Sequence, residues 1–317
     1  MLTSQDRSQV VESLFNDCKY INPLQIDLSE FDGIDPKALY KNKKALKEFS
    51  SRNSELVKDF NFTWIQRLMS TEANLRERMT LFWTNHFVCK ESRATYVQQY
   101  NHTLRVNALG HFGDFVKAIS KEPAMIKYLN SNQNRKSKPN ENFARELMEL
   151  FMLGEGQYTE KDIKESARAF TGYNHNFEGD FLLRRLLHDY GEKTFFGQTG
   201  NFDGDDIIDI ILEEKQCAIF ICTKIYKYFV NPEINLSHIN EMVSVFYPNY
   251  NIESLMRFVF MSDWFYDSKN IGVKIKSPID YIVGISKVVP FAFKEKADAI
   301  KVQHVLGQTL LKPPNVA

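Results

Sequence analysis

The sequence predicts a mostly α-helical protein, an irregular multi-helix bundle with one small β-hairpin near residues 175–196. Hydrophobic residues make up 43% of the 317-residue chain, including 25 Phe, which is enough for a sizeable core. Apolar residues recur at helical spacing along most of the chain. This periodicity breaks over residues 177–196, where residues 178–180 (Glu-Gly-Asp) are typical of a turn and residues 181–187 of a strand.

The elements follow in order along the chain. Proline and glycine interrupt the first sixty residues, which predicts an irregular segment with short helices. A helix follows from Thr71, and the best-marked one begins at Thr159, where Asp162 completes a capping box. Further helices are predicted over 96–109, 140–153, 205–214, 216–230, 238–246, 252–261 and 294–310, with another starting at 277–280. We therefore expect an irregular N-terminal segment over 1–60 and a helical core over 61–317, in one continuous domain.

Charge and composition exclude several classes of protein. Forty basic residues balance forty acidic ones, so a dedicated nucleic-acid binder is not expected. No run of eighteen apolar residues occurs, and the first ten residues lack the pattern of a secretory signal. The four cysteines form no CxxC pair, which argues against a zinc ribbon or a redox motif. Motifs of P-loop enzymes, zinc proteases and α/β-hydrolases are absent.

The helix predicted over 140–153 carries an unusual number of charges. Glu141, Arg145 and Glu149 lie on one side at a spacing of four residues, and Asn142 and Glu146 are adjacent to them. Residues 150–153 are all apolar, so this end of the helix is expected to be enclosed and the nearby carboxylates partly buried. A buried carboxylate must be paired, protonated or metal-bound. The charges therefore form either a structural salt-bridge network or a functional site.

Two further groups of polar residues are candidates. His86 lies on the apolar stripe of its helix, where it is either a satisfied core histidine or half of an acid–base pair with a glutamate. His188, Asp189 and Lys193 follow the predicted strand, a place that suits a site and an ordinary turn equally. The candidate catalytic residues are His86, Glu146, Glu149, His188 and Asp189. The candidate ligand-binding residues are Asn140, Glu141, Arg145, Arg168 and Lys193; no metal ligands are assigned.

Several segments resemble a known bacterial family, the one catalogued as domain of unknown function 1800. They are RERMTLFWTNHF (76–87), PAMIKYLN (123–130), PNENFARELMELFMLGEGQYTEKDIKESARAFTGY (139–173), HDYGEKTFFG (188–197), KSPIDYIVG (276–284) and LLKPPNV (310–316). The resemblance covers most of the chain from about residue 60 onward and supplies no activity. It implies a bacterial protein that is exported or periplasmic, with a sulfatase-like protein as its partner. Members are typically longer, so the resemblance also implies truncation at both ends.

Two hypotheses about function follow. In the first, the polar residues line a pocket between helices that binds an anionic ligand or a metal, and a hydrolytic activity is compatible with it. Arg145 among the glutamates repels a cation and favours a carboxylate, sulfate or phosphate. In the second, the chain is a non-catalytic scaffold or assembly module that acts with a partner protein. A site requires an open pocket at Glu146 or His86, whereas a structural network is closed and mutually satisfied. The sequence assigns no cofactor.

Overall fold

A computed structural model describes residues 4–314 and confirms a mostly helical fold. Helices account for 62% of the chain. The α-helices are α1 (Ser4–Asn16), α2 (Pro36–Lys41), α3 (Lys43–Ser70), α4 (Asn74–His86), α5 (Ala94–Asn107), α6 (Phe112–Lys121), α7 (Pro123–Tyr128), α8 (Asn142–Glu146), α9 (Glu160–Ala169), α10 (Gly204–Glu213), α11 (Lys215–Phe229), α12 (Leu236–Phe246), α13 (Ile252–Met261), α14 (Pro278–Val288) and α15 (Lys296–Val305). The first three residues, and the last two of the LLKPPNV segment, lie outside the described residues.

The small β-structure is present where the sequence predicted a hairpin, but it consists of two separate two-stranded sheets. Strand β1 (Tyr173–His175) pairs antiparallel with β2 (Phe181–Leu183), with Tyr173 opposite Leu183. Strand β3 (Lys193–Phe195) pairs in the same way with β4 (Gln198–Gly200). The predicted strand over 181–187 is shorter than expected because residues 185–187 form a turn of 3-10 helix.

Helix α3 crosses the boundary that was predicted at residue 60. Its buried residues follow helical spacing over about four turns, and they are Asn53, Leu56, Val57, Phe60, Asn61, Trp64, Ile65 and Leu68. These residues form a smaller hydrophobic cluster with α14 and α15, while a larger cluster is built mainly from α4 to α13. Helices α4 and α5 contribute to both clusters. The N-terminal segment is therefore packed against the C-terminal helices rather than set apart from the core.

A buried ionic network ties α3, α4 and α5 together. The Glu77 carboxylate accepts hydrogen bonds from Trp64 Nε1 at 3.0 Å and from Arg105 Nε and Nη2 at 2.8 and 3.0 Å. Arg105 also donates to Asn101 Oδ1 at 2.5 Å. The Arg105 side chain is only 1% exposed and that of Glu77 4%. This deeply buried ion pair therefore lies on α4 and α5, not on the helix predicted over 140–153.

Candidate functional site

The charged helix of the sequence prediction begins as α8 and continues as a π-helix over Leu147–Met152. Gly154 follows the end of the π-helix with a φ of +94°, a conformation that glycine adopts easily. The wider π turn leaves main-chain carbonyls at this end to be satisfied by side chains. Lys224 Nζ donates to the Leu150 carbonyl at 3.0 Å, and Gln216 Nε2 donates to the Leu153 carbonyl at 3.0 Å. Helix α11 is thereby fixed to the π-helix.

His86, on α4, forms a hydrogen bond with the same π-helix. It is 5% exposed, and its Nε2 lies 2.9 Å from the Phe151 carbonyl oxygen, so Nε2 carries the proton. Burial lowers the pKa of His86 well below its usual value, and the nearby charge of Lys224 lowers it further. Its Nδ1 has no hydrogen-bond partner among the described residues. His86 is therefore a neutral side chain that caps a carbonyl deep in the core.

The charged face of the helix is paired at the protein surface. Arg145 donates to both carboxylate oxygens of Glu160, at 2.9 and 3.0 Å, and lies 3.4 Å from Glu141. Glu149 accepts a hydrogen bond of 2.5 Å from the Tyr158 hydroxyl. Burial raises the pKa of the half-buried Glu146, and the charge of Glu149 raises it further. Apart from Glu146, these groups are occupied with each other.

Asn140 has a local role at the start of this helix. Its Oδ1 accepts from the Asn142 main-chain nitrogen at 3.0 Å, and its own main-chain nitrogen donates to Asn134 Oδ1 at 2.9 Å. Asn134 is buried and also donates to the Ala167 carbonyl at 2.7 Å. This arrangement satisfies the main chain where the polar loop enters α8, which is a structural function.

The second predicted group forms a network at the C-terminal end of α9. Arg168 Nε donates to Asp189 at 2.8 Å, which lowers the pKa of that carboxyl. The buried Lys193 Nζ donates to the carbonyls of Asp189 and Gly191 at 2.7 and 2.9 Å, and burial lowers its pKa. His188 is buried, and its Nδ1 donates to the Thr171 carbonyl at 2.7 Å. These residues hold the 188–193 loop against α9.

The two predicted groups do not form one site. Arg145 contacts Glu160 at the first residue of α9, whereas Asp189 contacts Arg168 near its end. Eight residues of helix separate these points by about 12 Å. Within residues 4–314, no group of three or more His, Cys, Asp or Glu side chains is arranged to hold a metal ion. None of the main cavities in the described part of the chain is lined by His86 or Glu146.

A two-chamber cleft lies elsewhere, between the ends of α4, α5 and α7 and the C-terminal segment 307–314. The inner chamber has a volume of about 240 Å³ and is mostly apolar. Its lining includes Leu81, Val88, Val97, Ala124, Leu310, Leu311 and Pro313. The outer chamber has a volume of about 510 Å³ and shares Glu91, Leu311 and Lys312 with the inner one. The two chambers therefore adjoin each other.

Lysines dominate the charge of the outer chamber. It is lined by Lys58, Lys90, Lys127 and Lys312 against a single acidic residue, Glu91. Glu91 is nearly buried, accepts from Lys127 Nζ at 2.6 Å and also accepts main-chain hydrogen bonds of 2.7 and 2.9 Å from the next two residues. Lys58 pairs with Glu55 at 2.8 Å, while Lys90 and Lys312 have no ion-pair partner among residues 4–314. The chamber therefore has an excess of positive charge.

Three buried titratable side chains lie at or near the inner chamber. Burial raises the pKa of the Cys89 thiol well above its usual value, and the Tyr100 hydroxyl donates to the Phe87 carbonyl. Glu122 accepts from Thr103 Oγ1 at 2.5 Å, and its Oε2 has no hydrogen-bond partner in the described structure. Burial raises the pKa of Glu122 to about 7. The Cys89 thiol is therefore uncharged, and the lining of the inner chamber is mostly apolar.

Sequence reasoning missed the cleft, although it singled out part of its lining. The LLKPPNV segment was noted for its resemblance, and Leu310, Leu311 and Lys312 from it line the chambers. Lys90 and Glu91 lie in a short connection between two helices and match no motif. Because residues 90 and 312 are far apart in the chain, no local pattern indicates that they share a site.

The chain is a mostly helical domain with a two-chamber cleft. A family profile described as "Protein of unknown function (DUF1800)" matches residues 2–317. The chain therefore belongs to this family, which confirms the resemblance seen in the sequence. No curated protein and no solved structure matches the chain. None of the helices within residues 4–314 is long and apolar enough to cross a membrane.

Proposed function

We propose that this protein binds an anionic ligand that carries an apolar part, and that the two-chamber cleft is its binding site. The observation that carries the proposal is the junction of a lysine-rich chamber with an apolar one. Together the chambers fall within the roughly 300–1,000 Å³ of small-ligand pockets, which are typically apolar with a few polar groups that fix orientation. The acidic group of the ligand lies in the outer chamber and its apolar part in the inner one.

The lysines and the apolar side chains of the cleft have different roles in this proposal. Lys90 and Lys312 bind the acidic group, since neither is engaged by a carboxylate of the protein. Lys127 is already oriented by Glu91 and contributes a further donor at the boundary of the chambers. The mostly apolar lining and the uncharged Cys89 thiol make the inner chamber suited to the apolar part of the ligand. A lysine ammonium binds carboxylate, sulfate and phosphate alike, so the cleft selects for charge and an apolar part.

The proposal keeps the anionic ligand predicted from the sequence and moves its site. Arg145, which suggested an anion, is bound by Glu160 and Glu141. The alternative is a non-catalytic assembly module that acts with a partner protein, for which the family resemblance suggests a sulfatase-like protein. The closed pairing of the α8 charges supports that alternative. A bacterial, exported protein is compatible with either proposal.

Binding of decanoate, decyl sulfate and neutral decanol, measured by titration calorimetry, tests the ligand proposal. We expect both anions to bind at least about tenfold more tightly than decanol, a difference of about 1.4 kcal/mol. The double substitution Lys90→Gln/Lys312→Gln should remove this preference. Lys161→Gln, at an exposed lysine on α9, is the matched control and should leave binding unchanged. Equal affinity for decanoate and decanol, or no effect of the double substitution, would contradict the proposal.

A further inference from the structure

The outer sides of α14 and α15 expose more large apolar side chains than a free surface normally does. On α14 and just after it these are Tyr281, Ile285, Val288 and Val289, and on α15 they are Val302 and Val305. Val288 is 81% exposed and Val305 75%. Single apolar residues on a surface need no explanation, but a contiguous patch of them marks an interaction site. We call these six residues the α14–α15 face.

Helix α14 is apolar on both of its sides, which is typical of a buried helix. Ile279 and Ile282 are buried in the smaller hydrophobic cluster. Tyr281, Ile285 and Val288 point away from it at spacings of four and three residues. This spacing places them in one row, as in the seam that one helix presents to another. The outward side of α14 therefore has the pattern of a helix-packing surface.

Helix α15 extends the same face. Gln308, just after α15, accepts a hydrogen bond of 3.1 Å from the Ile279 main-chain nitrogen at the start of α14. Both helices pack on α3, and Gln303 exchanges hydrogen bonds of 2.8 and 3.1 Å with Asn61. The segment after α15 thus meets the beginning of α14. Both helices are held by α3, and each exposes apolar side chains on its outward side.

The surroundings of this face are basic. Lys276, Lys287, Lys294 and Lys301 are exposed and make no ion pair within the described part of the chain. A Cβ atom added to Gly284 would lie 3.0 Å from Lys276 Nζ, which places that ammonium directly against α14. The exposed acidic residues nearby in the sequence are Glu295 and Asp298. Positive charge therefore exceeds negative charge around the face.

We propose that the α14–α15 face binds an amphipathic helix of a partner protein, with its apolar residues against the row on α14 and its acidic residues against the lysines. Charge complementarity favours this occupant over a second copy of the chain, whose own lysines would be brought against these. The regular spacing of the row on α14, at four and three residues, favours a packed helix as the occupant.

A designed peptide provides the probe. It is about three heptads long, with Leu at a and d, Glu at e and g, and Ala or Gln elsewhere; its counterpart has Lys at e and g. Fluorescence anisotropy should show that the acidic peptide binds at least about tenfold more tightly than the basic one. Ile285→Glu/Val288→Glu should abolish this binding, and Lys276→Glu/Lys287→Glu should weaken it at least about tenfold. Leu236→Glu, at a 74% exposed apolar residue on α12, is the control and should bind normally.

All substituted positions are exposed, so the variants should fold as the parent does, which far-UV circular dichroism checks. Equal binding of the two peptides overturns the proposal, as does binding that Ile285→Glu/Val288→Glu leaves intact. Concentration-dependent dimers that the same pair of substitutions dissolves would identify a second copy as the occupant and overturn it. Sedimentation with vesicles of phosphatidylglycerol and phosphatidylcholine, lost in that pair, would identify a lipid surface instead. Because the face and the lysine-rich cleft are probed with different ligands, the two proposals can fail separately.

Discussion

Glu77→Gln should destabilise this protein strongly although the substitution changes the shape of the side chain very little. The change removes the negative charge that Arg105 contacts through two nitrogens, at 2.8 and 3.0 Å. Arg105, whose side chain is 1% exposed, then keeps only uncharged side-chain acceptors, the Asn101 amide oxygen and that of the new glutamine. Breaking a buried pair by removing one partner costs about 3–5 kcal/mol, because the remaining charge stays desolvated and uncompensated. We expect the free energy of unfolding to fall by that amount.

Urea unfolding, followed by far-UV circular dichroism and by tryptophan fluorescence, measures this loss. Coincident transitions and an unchanged slope are required before the midpoints are converted into free energies. Arg145→Ala is the matched control, since its pair with Glu160 is exposed and should contribute no more than about 1 kcal/mol. The double substitution Glu77→Gln/Arg105→Met removes both charges and should recover much of the stability. A loss in Glu77→Gln no larger than that in Arg145→Ala would refute the reasoning.

Three further outcomes follow from individual contacts. Glu122→Gln should flatten the pH dependence of stability. The pKa of Glu122 is raised to about 7 from an ordinary 4.5, so the parent protein should lose up to about 3 kcal/mol of stability as the pH rises from 5 to 8. Urea unfolding at both pH values measures this loss. Lys193→Met should cost about 1–3 kcal/mol in a thermal or urea melt, since two carbonyls of the 188–193 loop lose their donor. His86→Phe should leave the Phe151 carbonyl without its donor and speed amide exchange in the π-helix.

The fold class was predictable because it depends on local patterns. The capping box at Thr159 and Asp162 is present as expected, and α9 follows it directly. Thr71 was predicted to begin the next helix. Its Oγ1 accepts a hydrogen bond from the Ala73 main-chain nitrogen, but α4 begins only at Asn74. Helix α3 was missed even though its buried residues have helical spacing. Proline and glycine indicate irregular structure before residue 40, but the prediction continued it to residue 60, whereas α3 begins at Lys43.

The positions of the buried charges were harder to predict, because burial depends on distant segments. Arg76 and Glu77 stand between Leu75 and Met79, so periodicity alone places them on a polar side of α4. They are buried because α3 and α5 also pack on that side. Conversely, the apolar run at 150–153 correctly indicated an enclosed helix end. The charged side chain of Arg145, however, lies about one turn earlier and pairs with Glu160 at the surface. A helical wheel describes one helix and contains no information about its neighbours.

The buried ionic network and the proposed binding cleft are connected through α4 and α5. Glu77 and Arg105 fix the two helices at one end, while Thr84, Asn85, Val97 and Tyr100 from the same helices line the inner chamber. Helices are stiff over this length, so a change in their relative position at the ion pair moves the walls of the chamber. Glu77→Gln should therefore weaken binding of decanoate as well as stability, even though Glu77 does not contact the cleft. Weaker binding in Glu77→Gln, with normal binding in Arg145→Ala, would show that the network positions the cleft in addition to stabilising the fold.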